Sequence, residues 1–149
     1  MMTVIRNLVV LSSVVLLSAC GVKPIYTEYH DLPKAGWHMD SLEHFAWAIE
    51  DTTKVYDVIV YLRHTERYPY QNMWFFMNNE QDTMEFYVAD NRGRWLGNNV
   101  NGFIETSVLV EESYRFDSIG TYQLDIRHGM RDTLLRGVMA IGVEVYGKE

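Results

Sequence analysis

Val55-Tyr56-Asp57-Val58-Ile59-Val60-Tyr61-Leu62-Arg63 is the stretch on which the fold of this chain turns. Successive side chains of an extended strand point to opposite faces. Tyr56, Val58, Val60 and Leu62 therefore share one face, and Val55, Asp57, Ile59, Tyr61 and Arg63 share the other. Both faces are partly apolar, which predicts a central strand. Working outward, Phe45-Ala46-Trp47-Ala48-Ile49 has an apolar odd face, and Met73-Trp74-Phe75-Phe76-Met77 is a short apolar run that reads as a buried strand. Thr83 to Ala89 alternates, with Met84, Phe86 and Val88 on one side. Asp90-Asn91-Arg92-Gly93 has turn chemistry, and Arg94-Trp95-Leu96 supplies a hairpin partner beyond it. Further strands are expected at 107–116, 120–127 and 138–146, with irregular loops at 99–106 and 128–136, the latter long enough for one helical turn. Seven or eight short strands separated by polar turns, with no long amphipathic helix, predict an all-β protein: a single-domain antiparallel β-sandwich, jelly-roll-like, over residues 41–149.

The N-terminus has a different character. Arg6 is the only charge ahead of Cys20, and the run Leu8 to Leu17 is apolar except for Ser12 and Ser13. A membrane-spanning helix needs about 20 apolar residues, roughly twice this run. A short apolar run closed by small residues is a secretion signal. Its end, Leu17-Ser18-Ala19-Cys20, resembles the lipobox of bacterial lipoproteins. That resemblance implies removal of residues 1–19, acylation of Cys20, and a protein held to a membrane outside the cytoplasm. A lone secreted cysteine could also remain a free thiol or form an intermolecular disulfide, but its place at an apolar-to-polar boundary suits lipidation better. Two or three acyl chains on one residue anchor it essentially permanently, whereas one binds only reversibly. Residues 20–40, with Pro24, Pro33 and little periodicity, read as the lipidated N-terminus and a tether that holds the domain off the membrane. Gly21 follows the cysteine, so no acidic sorting residue stands there, and either the periplasmic side of the inner membrane or the outer membrane fits.

Without the signal about 130 residues remain, the size of one domain. Loss of Arg6 leaves 12 basic against 20 acidic side chains. A net charge near −8 argues against nucleic acid and against an anionic lipid surface as partners. Cys20 is the only cysteine, so no internal disulfide forms and the core alone must stabilise the domain.

Catalytic chemistry has little to stand on. His30, His38, His44, His64 and His128 are scattered without metal-ligand spacing, and neither a nucleophile elbow nor a phosphate-binding glycine loop occurs. Glu111 and Glu112 are adjacent, so on a strand they face opposite ways and read as a solvated edge. The chain is read as a non-enzyme with no cofactor and no metal. Oxygen ligands in the turn at Asp90 would suit calcium, but Asx side chains bonding their own backbone explain that turn better, and Arg92 opposes a cation.

Binding is the stronger reading. Tyr68, Tyr70, Trp74 and Trp95 are candidate stacking rings, with Arg63, Asn72 and Asp90 as hydrogen-bonding partners. Trp74, inside an apolar run, reads as core, and so, less strongly, does Trp95. Arg131 and Asp132 form a charged pair beside Met130, read either as a recognition loop or as a structural pair in which Arg131 meets an acid such as Asp90. The candidate site residues are thus Arg63, Tyr68, Tyr70, Asn72, Asp90, Arg94, Trp95, Met130, Arg131 and Asp132, drawn from contact regions 68–72, 90–97 and 128–136. They suit other envelope proteins as partners, with envelope polysaccharide as the alternative.

Several blocks taken together resemble the gliding motility lipoprotein GldH family. They are Tyr61-Leu62-Arg63-His64, Tyr68-Pro69-Tyr70-Gln71-Asn72-Met73-Trp74, Asp82-Thr83, Ala89-Asp90 and Gly93-Arg94-Trp95-Leu96-Gly97. Phe116, Gly120-Thr121-Tyr122, Met130-Arg131-Asp132, Gly137 and Ile141-Gly142 continue the pattern to the C-terminus. Where the family tends to carry a further glycine-rich step, this chain has Asn98-Asn99-Val100-Asn101-Gly102; asparagine tolerates positive φ, so a turn can survive there. The resemblance implies a cell-envelope lipoprotein needed for gliding, whose machinery overlaps with a secretion apparatus, and it brings no established enzymatic activity to carry over.

Overall fold

The computed structural model describes residues 21–149; the expected signal peptide (1–19) and lipidated Cys20 lie outside the described residues. Eleven strands follow one another, with no helix among the described residues: β1 (Tyr26–Asp31), β2 (Trp37–His38), β3 (Glu43–Ile49), β4 (Val55–His64), β5 (Asn72–Met77), β6 (Asp82–Tyr87), β7 (Asn98–Val100), β8 (Phe103–Tyr114), β9 (Gly120–His128), β10 (Leu134–Leu135) and β11 (Val138–Lys148). One sheet has the order β1-β11-β4-β8-β7, the other β3-β9-β5-β6, and β10 pairs with β2 in a small ribbon. All pairings are antiparallel.

The pairings are nested. β1 meets β11, β3 meets β9, β4 meets β8, and β5 meets β6. The chain thus behaves as one long folded ribbon wound so that successive pairs fall alternately in the two sheets, which is the jelly roll. β4 is the central strand of its sheet, as its two-sided pattern predicts.

The core lies between the sheets. Phe45, Trp47 and Ile49 of β3, Met73, Phe75 and Met77 of β5, and Leu124 and Ile126 of β9 face Tyr56, Val58, Val60 and Leu62 of β4 and Ile141, Val143 and Val145 of β11. Burying a side chain of this size contributes about 1.5–3 kcal/mol relative to leaving it in water. The β2–β10 ribbon closes one end of the core with Trp37 and Leu135, both fully buried.

Three expectations about organisation need correction. The segment read as a tether is part of the fold from Tyr26 onward: β1 pairs with β11 from Tyr26↔Val145 to Asp31↔Ala140. Its charged, weakly periodic sequence is that of an edge strand, protected from further pairing by Glu28 and Asp31. It is held by His30 stacked on Phe45 at 4.4 Å and Tyr26 against Trp47 at 5.8 Å. The region 99–106 is a hairpin between β7 and β8, turned by Asn101 (φ 51°) and Gly102 (φ 84°). Two positive φ values in a two-residue loop make the turn that matches strand twist, and Asn-Gly suits it best. Loop 128–136 contains β10 and no helical turn.

The winding sorts the connections to opposite ends. The chain enters at Gly21–Ile25 beside the connections 50–54 and 115–119 and the end of β11. Connections 65–71, 88–97 and 129–137 lie at the other end, as the registers of β4 with β11 and of β3 with β9 require. The ten residues of β4 separate the two ends by about 30 Å at ~3.3 Å per residue.

Candidate functional site

The three regions expected to make contacts all fall at the end away from the N-terminus, and backbone hydrogen bonds tie them together. Val88 and Ala89 N–H donate to Gln71 O (2.8 and 3.1 Å), Leu96 N–H to Val88 O (2.9 Å), and Thr65 N–H to Gly137 O (2.8 Å).

A groove of about 530 Å³ opens on the outer face of the four-stranded sheet, toward this end. Tyr70, Asn72, Trp74, Phe76, Thr83, Gly129, Met130 and Arg131 line it. Its construction starts from β5. Met73, Phe75 and Met77 take the inner face, so Asn72, Trp74 and Phe76 must take the outer one. β9 pairs with β5 only as far as Phe75↔His128, and the chain then crosses the ring face. Gly129 N–H donates to Trp74 O at 2.7 Å, and Trp74 N–H donates to Met130 Sδ at 3.3 Å. The crossing packs closely at Gly129: a Cβ there would lie 3.1 Å from the Phe76 ring and 3.2 Å from Trp74 Cβ, so a larger residue would require these side chains to give by a few tenths of an ångström. Tyr70 Oη donates to Asp132 Oδ2 at 2.6 Å, a bond that raises the phenol pKa. Asn72 Nδ2 donates to Glu85 Oε1 at 2.7 Å. Arg131 is exposed and makes no ion pair among the described residues.

The structure therefore brings Tyr70, Asn72, Met130, Arg131 and Asp132 into one place. Tyr68 does not belong with them. It is buried, its hydroxyl donates to Asn72 O at 2.7 Å, and burial pushes its pKa up. The expectation of an exposed loop tyrosine is corrected: Tyr68 carries the loop and does not meet a partner. Arg63 lies across the molecule on the outer face of the five-stranded sheet. Its Nε donates to Glu105 Oε2 at 2.6 Å, and its guanidinium sits 4.3 Å from the centroid of Tyr29.

Asp90, Arg94 and Trp95 form the hairpin expected of their turn. Asp90 Oδ1 accepts the backbone N–H groups of Arg92 and Arg94, each at 2.9 Å, and Oδ2 accepts Arg94 Nε at 2.7 Å. These bonds, led by the Arg94 backbone N–H, lower the Asp90 pKa. Asp90 is thus committed to Arg94, not to Arg131. Trp95 is half-buried and meets His64 edge to face, the ring centroids 4.6 Å apart.

Trp74 and Phe76 are the groove residues that sequence reasoning misassigned or passed over. Trp74 is not core; its ring faces outward, because its neighbours in the strand claim the interior. The available signal was the run itself. Five consecutive apolar residues on a strand put apolar side chains on both faces, and the second face then needs a cover or a partner. Here the cover is the short Gly129–Met130 crossing, which leaves the rings partly open.

The chain is thus a jelly-roll domain with an aromatic groove toward one end and its chain entry at the other. The model of the GldH lipoprotein family matches residues 24–145. A gliding motility lipoprotein GldH homolog of Christiangramia forsetii is 31% identical over 126 residues, covering 80% of this chain and 76% of the relative. Gliding motility lipoprotein GldH of Flavobacterium johnsoniae is 27% identical over 155 residues, covering 95% and 96%. No solved structure matches the chain. The chain belongs to the GldH lipoprotein family.

Proposed function

We propose that this protein is a non-enzymatic interaction component of the gliding machinery and of the secretion apparatus linked to it. It is tied to the envelope by acyl chains on Cys20 and docks another envelope protein at the groove about 30 Å away along β4. Lipidation restricts it to a surface and raises its effective concentration there. One observation carries the reading: half-covered aromatic side chains, Trp74, Phe76 and Tyr70, stand beside Arg131, which has no ion pair among the described residues, on an otherwise acidic domain. Aromatic residues and arginine are the types enriched in interface centres. Arg67, Arg92 and Arg136 also lie at this end without an ion pair among the described residues, which favours an acidic partner surface.

The same groove supports a second reading, a glycan site, because Asn72, Thr83 and Arg131 flank rings on which a pyranose can stack. Crosslinking in intact cells separates the two. Wild type should capture proteins of the gliding or secretion apparatus, and Trp74→Ala with Arg131→Glu should lose them while remaining folded. Capture of the same proteins by the variant would refute the groove assignment, and capture dominated by polysaccharide would favour the second reading.

A further inference from the structure

The chain that connects the sandwich to its anchor is short. Tyr26 is already in the sheet, and Ile25 N–H donates to Val145 O at 2.7 Å. Six Cα steps separate Cys20 from Tyr26, so their separation is at most about 20 Å. Part of that length is used up along the side of the domain. Tyr26 pairs with Val145, while β11 continues to Lys148, opposite Val55 at the start of β4. Those three further residues carry the sheet about 10 Å beyond Tyr26 toward the entry end. Connections 50–54 and 115–119 project from the same end. With the acyl chains of Cys20 in a bilayer, a connector of this length cannot lift that end clear of the headgroups, which are themselves about 5–8 Å deep.

The surface chemistry of this end agrees. Ile119 (69% exposed) and Val22 (68%) are the most exposed of the large apolar side chains among the described residues, and Ile25 is exposed at the same end. Ile119 is the last residue of the 115–119 connection, next to Gly120 at the start of β9. The charges nearly balance: Lys23, Lys54, Arg115 and Lys148 stand with Glu50, Asp51, Asp57, Glu112, Asp117 and Glu149. Most of the net charge near −8 therefore falls on the remainder of the domain, so this end is the one that a bilayer with anionic lipid repels least.

We propose that this end of the sandwich seats on the bilayer that holds the anchor, with Ile119 entering the headgroup–acyl boundary and the domain standing upright. The inference rests on the reading of Cys20 as the lipidated residue. Its consequence is that the aromatic groove is held at a fixed height, directed away from the membrane.

The test uses the lipidated protein in vesicles of phosphatidylethanolamine and phosphatidylglycerol. An environment-sensitive fluorophore is placed at Ser118→Cys, next to Ile119, or at Asn91→Cys in the opposite end. Quenching by bromine-labelled acyl chains should be about threefold or more stronger at 118 than at 91, as an interfacially inserted side chain requires. Lys23→Glu with Lys54→Glu should reduce it. Equal quenching at both positions, or none at 118 while the protein stays with the vesicles, overturns the seat and leaves the anchor standing. If the Cys20→Ser chain remains in the vesicle fraction after a salt wash, it is the reading of Cys20 that fails.

Discussion

The outer faces of the two sheets are built from the same alternation, yet they meet water differently. On the five-stranded sheet the outward side chains satisfy one another. Arg63 bonds Glu105 and stacks on Tyr29, Tyr29 lies 5.9 Å from Tyr61, Tyr146 Oη donates to Glu144 at 2.6 Å, and Lys148 pairs with Asp57. On the four-stranded sheet Trp74, Phe76 and Tyr87 face out, and only the Gly129–Met130 crossing and Arg127, 5.4 Å from the Phe76 centroid, lean over them. A face that consumes its own hydrogen-bonding capacity needs only solvent. A face with rings half covered and Arg131 without an ion pair among the described residues retains contacts to give, which is why the proposed partner is placed on this one.

The comparison makes its largest prediction within β5, where neighbouring aromatic residues take opposite sides. Phe75 is fully buried, so Phe75→Ala should cost about 3–5 kcal/mol. Trp74→Ala should cost roughly 1–2 kcal/mol, as a half-exposed ring leaves no closed cavity. Urea unfolding midpoints of the two variants decide it. Equal losses would mean that Trp74 is core after all and that the groove is merely an uneven part of a packed surface.

That contrast also marks the limit of what the chain's pattern conveys. The inner faces of β3, β9 and β11 were legible because the large apolar residues fall mainly on one side of each strand, and the place of β4 because both of its faces are partly apolar. β5 was not, because its apolar run alternates between two apolar sets, and only the neighbours β6 and β9 select which set turns inward. β1 was hidden for the opposite reason. Tyr26-Thr27-Glu28-Tyr29-His30-Asp31 carries an edge strand's charges, and its burial comes from contacts with Phe45 and Trp47, which are distant in sequence. The β7–β8 hairpin was available from Asn101-Gly102 alone. For the site, loop position and residue type located Tyr70, Asn72, Met130, Arg131 and Asp132. They could not separate Tyr70 from Tyr68, since a hydroxyl's reach to a buried carbonyl has no sequence signature.

A smaller effect should appear with pH. His64 and His128 are buried at the groove end of the core, and burial lowers both pKa values. His64 Nδ1–H donates to Thr65 O and His128 Nε2–H to Trp37 O, both at 3.0 Å; these bonds favour the charged ring, but burial outweighs them, and the second nitrogen of each ring has no hydrogen-bond partner among the described residues. A histidine with a depressed folded pKa contributes stability above its unfolded value of about 6.5, and that contribution is lost as pH falls from there through the folded value. His30 works in the opposite sense. Burial lowers its pKa, but the bonds to Glu43 and Glu28 outweigh this and raise it. Its contribution is full below about 6.5 and fades as pH rises through the folded value. The urea midpoint should therefore fall between pH 7.5 and 5, and His30→Gln should steepen the fall. A midpoint unchanged over this range in both proteins would show that the buried rings are not held neutral. The lowered carboxyl groups of Asp51, Asp57 and Asp90 titrate below this window and do not obscure it.

The smallest effects test the contrast between the two faces most directly, because they compare one arginine on each. Arg63 and Glu105 are both largely covered by neighbours. Removing the guanidinium strips Glu105 of its partner and Tyr29 of its stacked cation, so Arg63→Met should cost about 1 kcal/mol. Arg131 has no partner among the described residues, and Arg131→Met should change stability by no more than about 0.5 kcal/mol in either direction. Capture of envelope partners should show the reverse order, reduced by Arg131→Met and untouched by Arg63→Met. If the stability losses prove equal, Arg131 is held as firmly as Arg63 and the groove face is as self-contained as the other. If the losses differ as expected but capture is unaffected, the four-stranded sheet keeps its open rings and partner recognition must lie elsewhere on the domain.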